Sequence, residues 1–373
     1  MPEPARAAYV EIDLKAIAHN VRRLKATTAQ GTLFMAVVKA DGYGHGALNV
    51  ARTALNHGAD RLGVATLSEA LELRQAGIRA PMHLLSEPPA AAIPDIIEHD
   101  LIPTVTTRDF TVELGRAAFS ASKEARFHLK VDTGMNRIGI RAEEAAEFIA
   151  GLKGFPGLAH EGTMTHFATA DSPGDWDFES QMKRFTAALV SLQDEGFSPG
   201  IVHASNSAGT ILHPEAHFNM VRCGIALYGL HPDKSTYGRV DLRPAMSVKA
   251  TLSLVKRIGM GEGVSYGLVW RAAAPTIIGT LPLGYADGVH RVLSDRFSVL
   301  VGGARCAQVG RVCMDQFMIE LPRGSAFREG EPVVLVGSQG QDSILMDELA
   351  ELAGTINYEL ACSFGMRLPK RYV

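Results

Sequence analysis

The chain has 373 residues, of which 46% are hydrophobic, and its formal net charge is −3 at pH 7. This length allows two domains with substantial cores, whereas the near-neutral charge gives no reason to expect a nucleic-acid or membrane partner. The first fifteen residues are polar and charged, and no apolar run approaches the roughly 18 residues of a membrane-spanning helix, so we expect a soluble, cytoplasmic protein.

The N-terminal part of the chain alternates between predicted strands and helices. Asp13 is placed to cap a helix that ends near Ala29. Thr66 and Glu69 predict a capping box for a helix over 66–76. A further helix is predicted over 176–195. The candidate strands are residues 33–38, 62–65, 83–86, 102–105, 126–131, 158–165, 201–204 and 219–221.

Eight strands within about 200 residues are typical of a (β/α)8 barrel of the TIM type. A doubly wound sheet would produce a similar alternation, so this interpretation depends on the count of eight strands rather than six. From about residue 239 the apolar residues recur with period two, which predicts a mainly β C-terminal domain over 239–373 after a barrel domain over 1–238. One helix is predicted there over 345–353, with Asp342 or Ser343 as its cap.

The four cysteines give no sign of a disulfide framework or a metal site. They include no C-x-x-C pair, and none has a histidine at the spacing of zinc ligands. We therefore expect reduced thiols and no bound metal.

Polar residues stand where several predicted barrel strands end. Lys39 closes the uncharged run LFMAVV and precedes three glycines, Gly42, Gly44 and Gly46, which permit close backbone approach to a ligand and the start of a helix. Each such residue alone has an ordinary structural explanation, but a barrel's active site lies at the C-terminal ends of its strands. The other residues placed there are Lys130, Arg137, His166, Asn206, Ser207 and Arg222.

A lysine among cationic groups suits covalent attachment to a carbonyl compound, because burial and positive neighbours lower the pKa of an amine. The glycines in RCGIALYG, together with Ser207 and Tyr43, could bind a phosphate. Pyridoxal 5′-phosphate combines both requirements. The chain has no dinucleotide or nucleoside triphosphate motif of the usual glycine-rich kind at these positions.

The stretch AVVKADGYGHG resembles the cofactor-lysine motif of the alanine racemase family, and this motif is highly specific. The resemblance covers essentially the whole chain in the family's order, through KVDTGMNRIG, THFATAD, HASNSAG, RCGIALYG, GEGVSYG, LPLGYADG, GRVCMDQ and TINYEL. It implies a pyridoxal phosphate enzyme that interconverts L- and D-alanine, for bacterial wall synthesis or for alanine catabolism. It also implies a homodimer with active sites at the subunit interface.

The resemblance further implies roles for individual residues. Lys39 and Tyr266 match the two acid–base groups on opposite faces of the substrate, with Tyr266 supplied by the partner subunit. Arg222 matches an arginine that faces the pyridine nitrogen, where most pyridoxal enzymes place a carboxylate. The matches to cofactor-binding residues are Lys39, Tyr43, His166, Asn206, Ser207, Arg222, Gly224, Ile225 and Tyr358.

Arg137 and Met314 match substrate-binding residues, and Tyr285 and Asp315 match residues at the entrance to the site. Lys130 matches a lysine that is often carbamylated in the family and then holds the arginine matching Arg137. The chain departs from the common pattern at Cys223, where proline usually follows the arginine, and at Val289, where a bulky residue is frequent.

Three alternatives stay open. A racemase for serine or for several amino acids would need a wider pocket near Tyr358 and Met314. Decarboxylases of basic amino acids share this architecture, but they generally present a carboxylate to the pyridine nitrogen, where this chain has Arg222. A non-catalytic pyridoxal phosphate-binding protein would consist of the barrel alone, and the second domain with Tyr266 counts against it.

Overall fold

A computed structural model describes residues 6–172, 176–365 and 367–373. The chain forms two compact units. The barrel unit comprises Ala16–Gly42 and Ala47–Arg243, and the β unit comprises the described residues up to Lys15, Tyr43–Gly46 and Pro244–Val373. Among the described residues, no helix is both long and apolar enough to cross a lipid bilayer.

The barrel unit is a closed ring of eight parallel strands, which confirms the predicted (β/α)8 barrel. Each strand pairs with its neighbours in sequence, and the first strand pairs with the eighth. Leu33–Val37 has no charged residue because both faces of the sheet are buried, as in other parallel sheets covered by helices, whereas other strands carry charged residues such as Lys130 and Arg222. In chain order the strands are Leu33–Val37, Arg61–Val64, Met82–Leu84, Ile102–Val105, Ala125–Asp132, Leu158–Met164, Ile201–His203 and Met220–Cys223.

Helices connect and cover the barrel strands. The backbone N–H of Lys15 donates to the Asp13 carboxylate at the start of the first helix, which ends at Lys25 and so is shorter than predicted. The capping box of Thr66 and Glu69 is present as predicted. The α-helices are Leu14–Lys25, Ala47–Asn56, Leu67–Gln75, Ile93–Glu98, Arg108–Ser120, Ala145–Ala150, Trp176–Asp194 and Ser207–Leu212.

The interior of the barrel contains histidines among its aliphatic residues. His83, His128 and His203 are all buried, and the ring of His128 lies 4.5 Å from that of His83 and 4.8 Å from that of His203, between centroids. Barrels of this type are usually filled by layers of branched aliphatic side chains. Buried imidazoles require hydrogen-bond partners, which are described below.

The β unit is built on a ten-stranded sheet and carries two helices, Met346–Ala353 and Asn357–Ser363. The sequence interpretation missed the strand Ala8–Ile12, which lies between Met246–Thr251 and Lys370–Tyr372. The other strands of the unit are Leu254–Ile258, Gly263–Val264, Trp270–Arg271, Thr276–Leu281, Ser298–Val301, Ala304–Val309, Phe317–Leu321, Pro332–Gln339 and Asp342–Ile344.

The predicted cap of the helix near residue 345 is wrong. Asp342 and Ser343 belong to a strand that pairs antiparallel with Pro332–Gln339. The helix begins at Met346 after Leu345, whose side chain makes no capping hydrogen bond. Pairing with the neighbouring strand satisfies the backbone around Asp342 and Ser343, so the helix starts later than the polar residues suggested.

Candidate active site

Lys39 follows the first barrel strand and begins a left-handed turn. The backbone φ angles of Ala40, Asp41, Gly42 and Tyr43 are 52°, 50°, 61° and 51°. A left-handed conformation costs about 1–2 kcal/mol for each residue with a Cβ. The regular helix starts only at Ala47, directly after the three glycines.

Hydrogen bonds hold this strained turn. The Glu69 carboxylate accepts from the backbone N–H of Ala40 at 2.7 Å and from that of Ala65 at 2.8 Å. The Asp41 carboxylate accepts from the N–H of Ala47 at 2.9 Å. Glu69, which completes the capping box of one helix, therefore also fixes the backbone next to Lys39.

The glycines after Lys39 permit close approach to the protein's own backbone. A Cβ on Gly44 would lie 2.4 Å from the carbonyl oxygen of Ala361, and its φ is +80°. No other residue type fits both the conformation and the space.

Arg222, near the end of the eighth strand, is buried and makes several hydrogen bonds. Nη2 lies 2.9 Å from the carbonyl oxygens of both Thr165 and Ala204 and 3.1 Å from Nδ1 of His166, so its two N–H groups are shared among three acceptors. Nη1 donates to Nδ1 of His203 at 3.1 Å. Burial lowers the pKa of the guanidinium to about 10, so the group remains a cation at neutral pH.

Four basic side chains act on His166. Burial, followed by the positive charges of Arg222, Arg137, Lys130 and Lys39, lowers the pKa of His166 well below its ordinary value. His166 is therefore neutral near pH 7. Because Arg222 only donates, His166 Nδ1 must accept, and the imidazole proton lies on Nε2.

Lys130 is buried in the fifth strand, and its Nζ donates to the carbonyl oxygen of Val131 at 2.8 Å. Burial and the charge of Arg222, together with that of Arg137, lower its pKa to about 7, although Asp132 opposes the shift. A large part of this amine is thus unprotonated at neutral pH. Arg137 is exposed on the loop that follows.

Ser207 lies beside the loop after the eighth strand. Its hydroxyl oxygen accepts from the N–H groups of Gly224 at 3.0 Å and Ala226 at 3.3 Å. The Asn206 side chain caps the helix Ser207–Leu212 by accepting from Gly209 N–H at 2.9 Å. Ile225 is buried at the start of the turn Ile225–Tyr228.

The two departures from the family pattern are both buried. The Cys223 thiol donates to the Thr210 hydroxyl at 3.5 Å, and burial raises its pKa to about 12, so it is a neutral packing group. Val289 is buried in the β unit.

In the β unit, Tyr266, Met314 and Asp315 line one groove of about 540 Å³ with Ser265, Cys313 and Gln316. Tyr266 is 70% exposed and Met314 is 53% exposed. The backbone N–H of Tyr285 donates to the carbonyl oxygen of Cys313 at 3.0 Å, so this tyrosine adjoins the groove. Asp315 pairs with Arg367 at 2.6 Å.

Tyr43 and Tyr358 also lie together in the β unit, with ring centroids 6.3 Å apart. Burial, with a smaller contribution from Cys362, raises the pKa of Tyr43 well above its ordinary value. Its phenol is therefore a neutral hydrogen-bond donor throughout the physiological pH range.

The sequence interpretation missed three residues connected to Arg222, namely His128, Glu161 and His203. Their signal was a polar side chain inside a strand that is buried on both faces, in RFHLKVD, AHEGTM and IVHAS. Such a residue needs a partner, but the pattern does not indicate which one.

A closed barrel with a lysine and several cations at the C-terminal ends of its strands, followed by a mainly β unit, defines a two-domain barrel enzyme. The profile of the alanine racemase N-terminal domain matches residues 12–232, and that of the C-terminal domain matches residues 245–372. The chain belongs to the alanine racemase family of isomerases.

Curated relatives and solved structures agree with this assignment. The chain is 42% identical to alanine racemase from Desulfovibrio desulfuricans over 99% of this chain and 98% of that protein. It is 43% identical to alanine racemase from Symbiobacterium thermophilum over 98% and 97%. The crystal structure of alanine racemase from Bacillus anthracis with bound L-Ala-P superposes with a TM-score of 0.94 at 40% identity, covering 99% of this chain and 96% of that one.

Proposed function

We propose that this protein interconverts L- and D-alanine with pyridoxal 5′-phosphate as its cofactor. The observation that carries the proposal is that Arg222 contacts His166 at 3.1 Å at the end of the barrel where active sites lie, in a chain that both alanine racemase domain profiles match. The D-alanine formed would serve bacterial wall synthesis, or the reverse reaction would serve alanine catabolism.

The residues present suit pyridoxal phosphate. Lys39 supplies an amine for its aldehyde, and the Ser207 hydroxyl, the backbone amide of Ile225 and, once released from Ser207, the amide of Gly224 would supply donors for its phosphate. Asn206, Tyr43 and Tyr358 complete the proposed binding set, and the neutral Tyr43 phenol suits a phosphate oxygen. When bound, the cofactor supplies an electron sink for the carbanion that forms when alanine loses its α-proton.

Arg222 is proposed to face the ring nitrogen of the cofactor. Three of its hydrogen bonds to the protein come from Nη2 and one from Nη1, and no described residue accepts from its Nε–H. A guanidinium can donate to a ring nitrogen but does not transfer a proton to it at physiological pH. We therefore expect a weaker electron sink than in enzymes that place a carboxylate there, and fewer side reactions.

Racemisation requires a proton to leave one face of the substrate and return on the other, so two acid–base groups are needed. We propose Lys39 for one face and Tyr266, from a second copy of the chain, for the other. Free phenols lose their proton only near pH 10, so a phenolic base requires a donor that stabilises its anion. The Nε2–H of His166 is directed to such a role by the bond from Arg222 to Nδ1.

The exposure of Tyr266 and Met314 in one groove supports a homodimer in which this groove faces the barrel of the partner. We propose that the C-terminal domain, residues 239–373, contributes in this way to the partner's active site. Arg137 and Met314 would then contact the carboxylate of alanine. Tyr285 and Asp315 would line the entrance to the site.

We also propose that Lys130 is carbamylated. With a pKa of about 7, its amine nitrogen can add to CO₂ and release a proton, which gives a carbamate anion. That anion would pair with Arg137, whose charge already acts on Lys130, and would hold it for the substrate.

The experiment that tests the proposal follows the α-hydrogen of alanine in D₂O. The purified protein with pyridoxal phosphate should exchange this hydrogen and racemise either enantiomer. Lys39→Ala should abolish both directions, and Tyr266→Phe should reduce rates by at least about 100-fold, with different effects on the L and D substrates. Tyr237→Phe, on an exposed barrel tyrosine, is the control. Full activity of Tyr266→Phe in both directions would refute the two-base assignment.

A further inference from the structure

Four polar side chains form a continuous chain of hydrogen bonds through the barrel interior. Arg222 Nη1 lies 3.1 Å from His203 Nδ1, His203 Nε2 lies 2.6 Å from His128 Nδ1, and His128 Nε2 lies 2.8 Å from the Glu161 carboxylate. Both imidazoles are 0% exposed. Polar groups in such a position destabilise a core unless each is hydrogen-bonded.

The two ends of this chain determine the direction of every bond in it. The guanidinium of Arg222 can only donate, so His203 Nδ1 accepts and its proton lies on Nε2. His203 then donates to His128 Nδ1, and the proton of His128 also lies on Nε2. The Glu161 carboxylate can only accept. A single tautomer of each imidazole therefore satisfies all three hydrogen bonds.

The electrostatics agree with neutral imidazoles. Burial, together with the charges of Arg222 and other neighbours, lowers the pKa of His203 well below its ordinary value. Burial also lowers the pKa of His128, although Glu161 opposes this shift. A second proton on either ring would place an N–H opposite another donor and break the chain.

The backbone is shaped for the contact between His128 and Glu161. Phe127 pairs with His160 and His128 pairs with Gly162, so Glu161 is the extra residue of a β-bulge. Bulges redirect side chains. A Cβ on Gly162 would lie 2.5 Å from Cε1 of His128, so the glycine makes room for the imidazole.

Glu161 is kept ionised at the far end. Burial opposes its ionisation, but the hydrogen bonds from His128 and Arg61 hold its pKa well below the ordinary value. Arg61 Nη1 lies 2.8 Å and Arg126 Nη1 lies 3.0 Å from its two oxygens. Arg126 also pairs with Asp100.

A metal ion is the competing explanation for this cluster. The ligand atoms of His83, His128 and Glu161 all lie within 4.8 Å of one another. However, Arg61 already donates to Glu161 and lies 3.2 Å from His83 Nε2. The Arg61 guanidinium therefore lies where a metal ion would have to bind. The geometry favours hydrogen bonds over metal coordination.

We propose that Glu161, His128 and His203 are positioning residues, which fix Arg222 through this one-way chain of hydrogen bonds. A carboxylate near the N-terminal ends of the strands thereby controls the orientation of the guanidinium at the opposite, substrate-binding end. The effect on catalysis rests on the proposed role of Arg222, but the direction of the hydrogen bonds does not.

Neutron diffraction from the unaltered protein, crystallised in deuterated buffer, tests the direction. We expect deuterium on Nε2 of both His128 and His203 and none on either Nδ1. Deuterium on Nδ1 of either ring, or a metal ion between His83 and Glu161, would overturn the proposal. The neutron result does not depend on enzymatic activity. If the map showed the expected deuterium positions in a protein that failed to racemise alanine, the proposed function would be refuted and the direction of the hydrogen bonds would stand.

A matched pair of variants of the protein with bound cofactor tests the consequence. Glu161→Gln replaces an obligate acceptor by an amide that can present either a donor or an acceptor to His128, so the direction is no longer enforced. We expect kcat to fall about 10-fold, as when an outer hydrogen-bond partner of a functional histidine is lost, with little change in KM for alanine. The visible absorption of the bound cofactor should also titrate at a different pH.

The control is Asp100→Asn, which alters the exposed partner of Arg126 and leaves the hydrogen bonds between Glu161 and Arg222 in place. It should keep the kcat and the spectrum of the unaltered enzyme. Equal behaviour of the two variants would contradict the positioning role. If Glu161→Gln did not fold, the neutron map of the unaltered protein would still test the direction of the hydrogen bonds.

Discussion

Arg222 donates from Nη2 to Nδ1 of His166 across 3.1 Å. This bond assigns the histidine its tautomer, with the proton on Nε2, and the positive charge of Arg222 disfavours a second proton on the ring. The guanidinium therefore sets the donor direction of His166, and it adds to the effect of burial in keeping the ring neutral. The same guanidinium holds His203 in the same way on its other side.

Arg222→Lys should keep the charge and lose this control. An ammonium cannot reproduce the planar fork that reaches both imidazoles and two carbonyl oxygens. We expect kcat to fall roughly 100-fold, the loss typical of one preorganised donor, when alanine racemisation is measured in both directions. Arg239→Lys, on the exposed surface, should leave kcat unchanged. A near-normal rate for Arg222→Lys would show that charge alone suffices.

Glu69→Ala should disturb the turn after Lys39 as well as a helix. The carboxylate caps Leu67–Gln75 and also accepts from Ala40 N–H. We expect a loss of about 1–3 kcal/mol in the free energy of unfolding, because several backbone donors lose their partner, and a lower kcat. Thr66→Ala removes only the cap and should cost about 1 kcal/mol without changing kcat. Denaturant unfolding and steady-state rates distinguish the two variants, and equal kcat values would contradict the link to Lys39.

The barrel strands and the residues at their ends could be predicted because both signals are local. Lys39, His166 and Arg222 end or directly follow predicted strands, and a barrel gathers such positions at one end. The resemblance of the motifs then assigned roles that spacing alone left open.

The polar chain behind Arg222 could not be predicted in this way. His128 and His203 are separated by 75 residues, and their contact depends on strand register and on the bulge at Glu161. Period-two patterning shows that a strand residue is buried but not what it meets. The strand Ala8–Ile12 was missed for a related reason, since its alternation is visible only once its distant partner Met246–Thr251 is known.

Gly284→Ala should alter the groove that contains Tyr266 and Met314. A Cβ at this position would lie 2.2 Å from the carbonyl oxygen of Met314 and 2.4 Å from that of Cys313, so the loop must move. We expect a loss of about 1–3 kcal/mol in stability and a higher KM for alanine, since Met314 is proposed to contact the substrate. Gly324→Ala meets no atom within 4 Å, so it adds a methyl group without a steric contact and should leave KM unchanged, even though its φ of +76° adds a backbone strain that Gly284, at φ −148°, lacks. An unchanged KM for Gly284→Ala would count against the role of Met314.

Lys130→Met should make stability less dependent on pH. Burial lowers the pKa of Lys130 to about 7 in the folded protein, whereas the pKa of an unfolded lysine is 10.5. Between these values the unfolded state holds more protons, so this residue makes the free energy of unfolding rise with pH. In CO₂-free buffer the substitution should therefore stabilise the protein near pH 7 by roughly 1–4 kcal/mol, and by less near pH 10. Denaturant unfolding at the two pH values measures the difference, and Lys153→Met, on the surface, provides the baseline. A stabilisation that is the same at both pH values would mean that Lys130 keeps its proton when buried, and carbamylation would then lose its chemical basis.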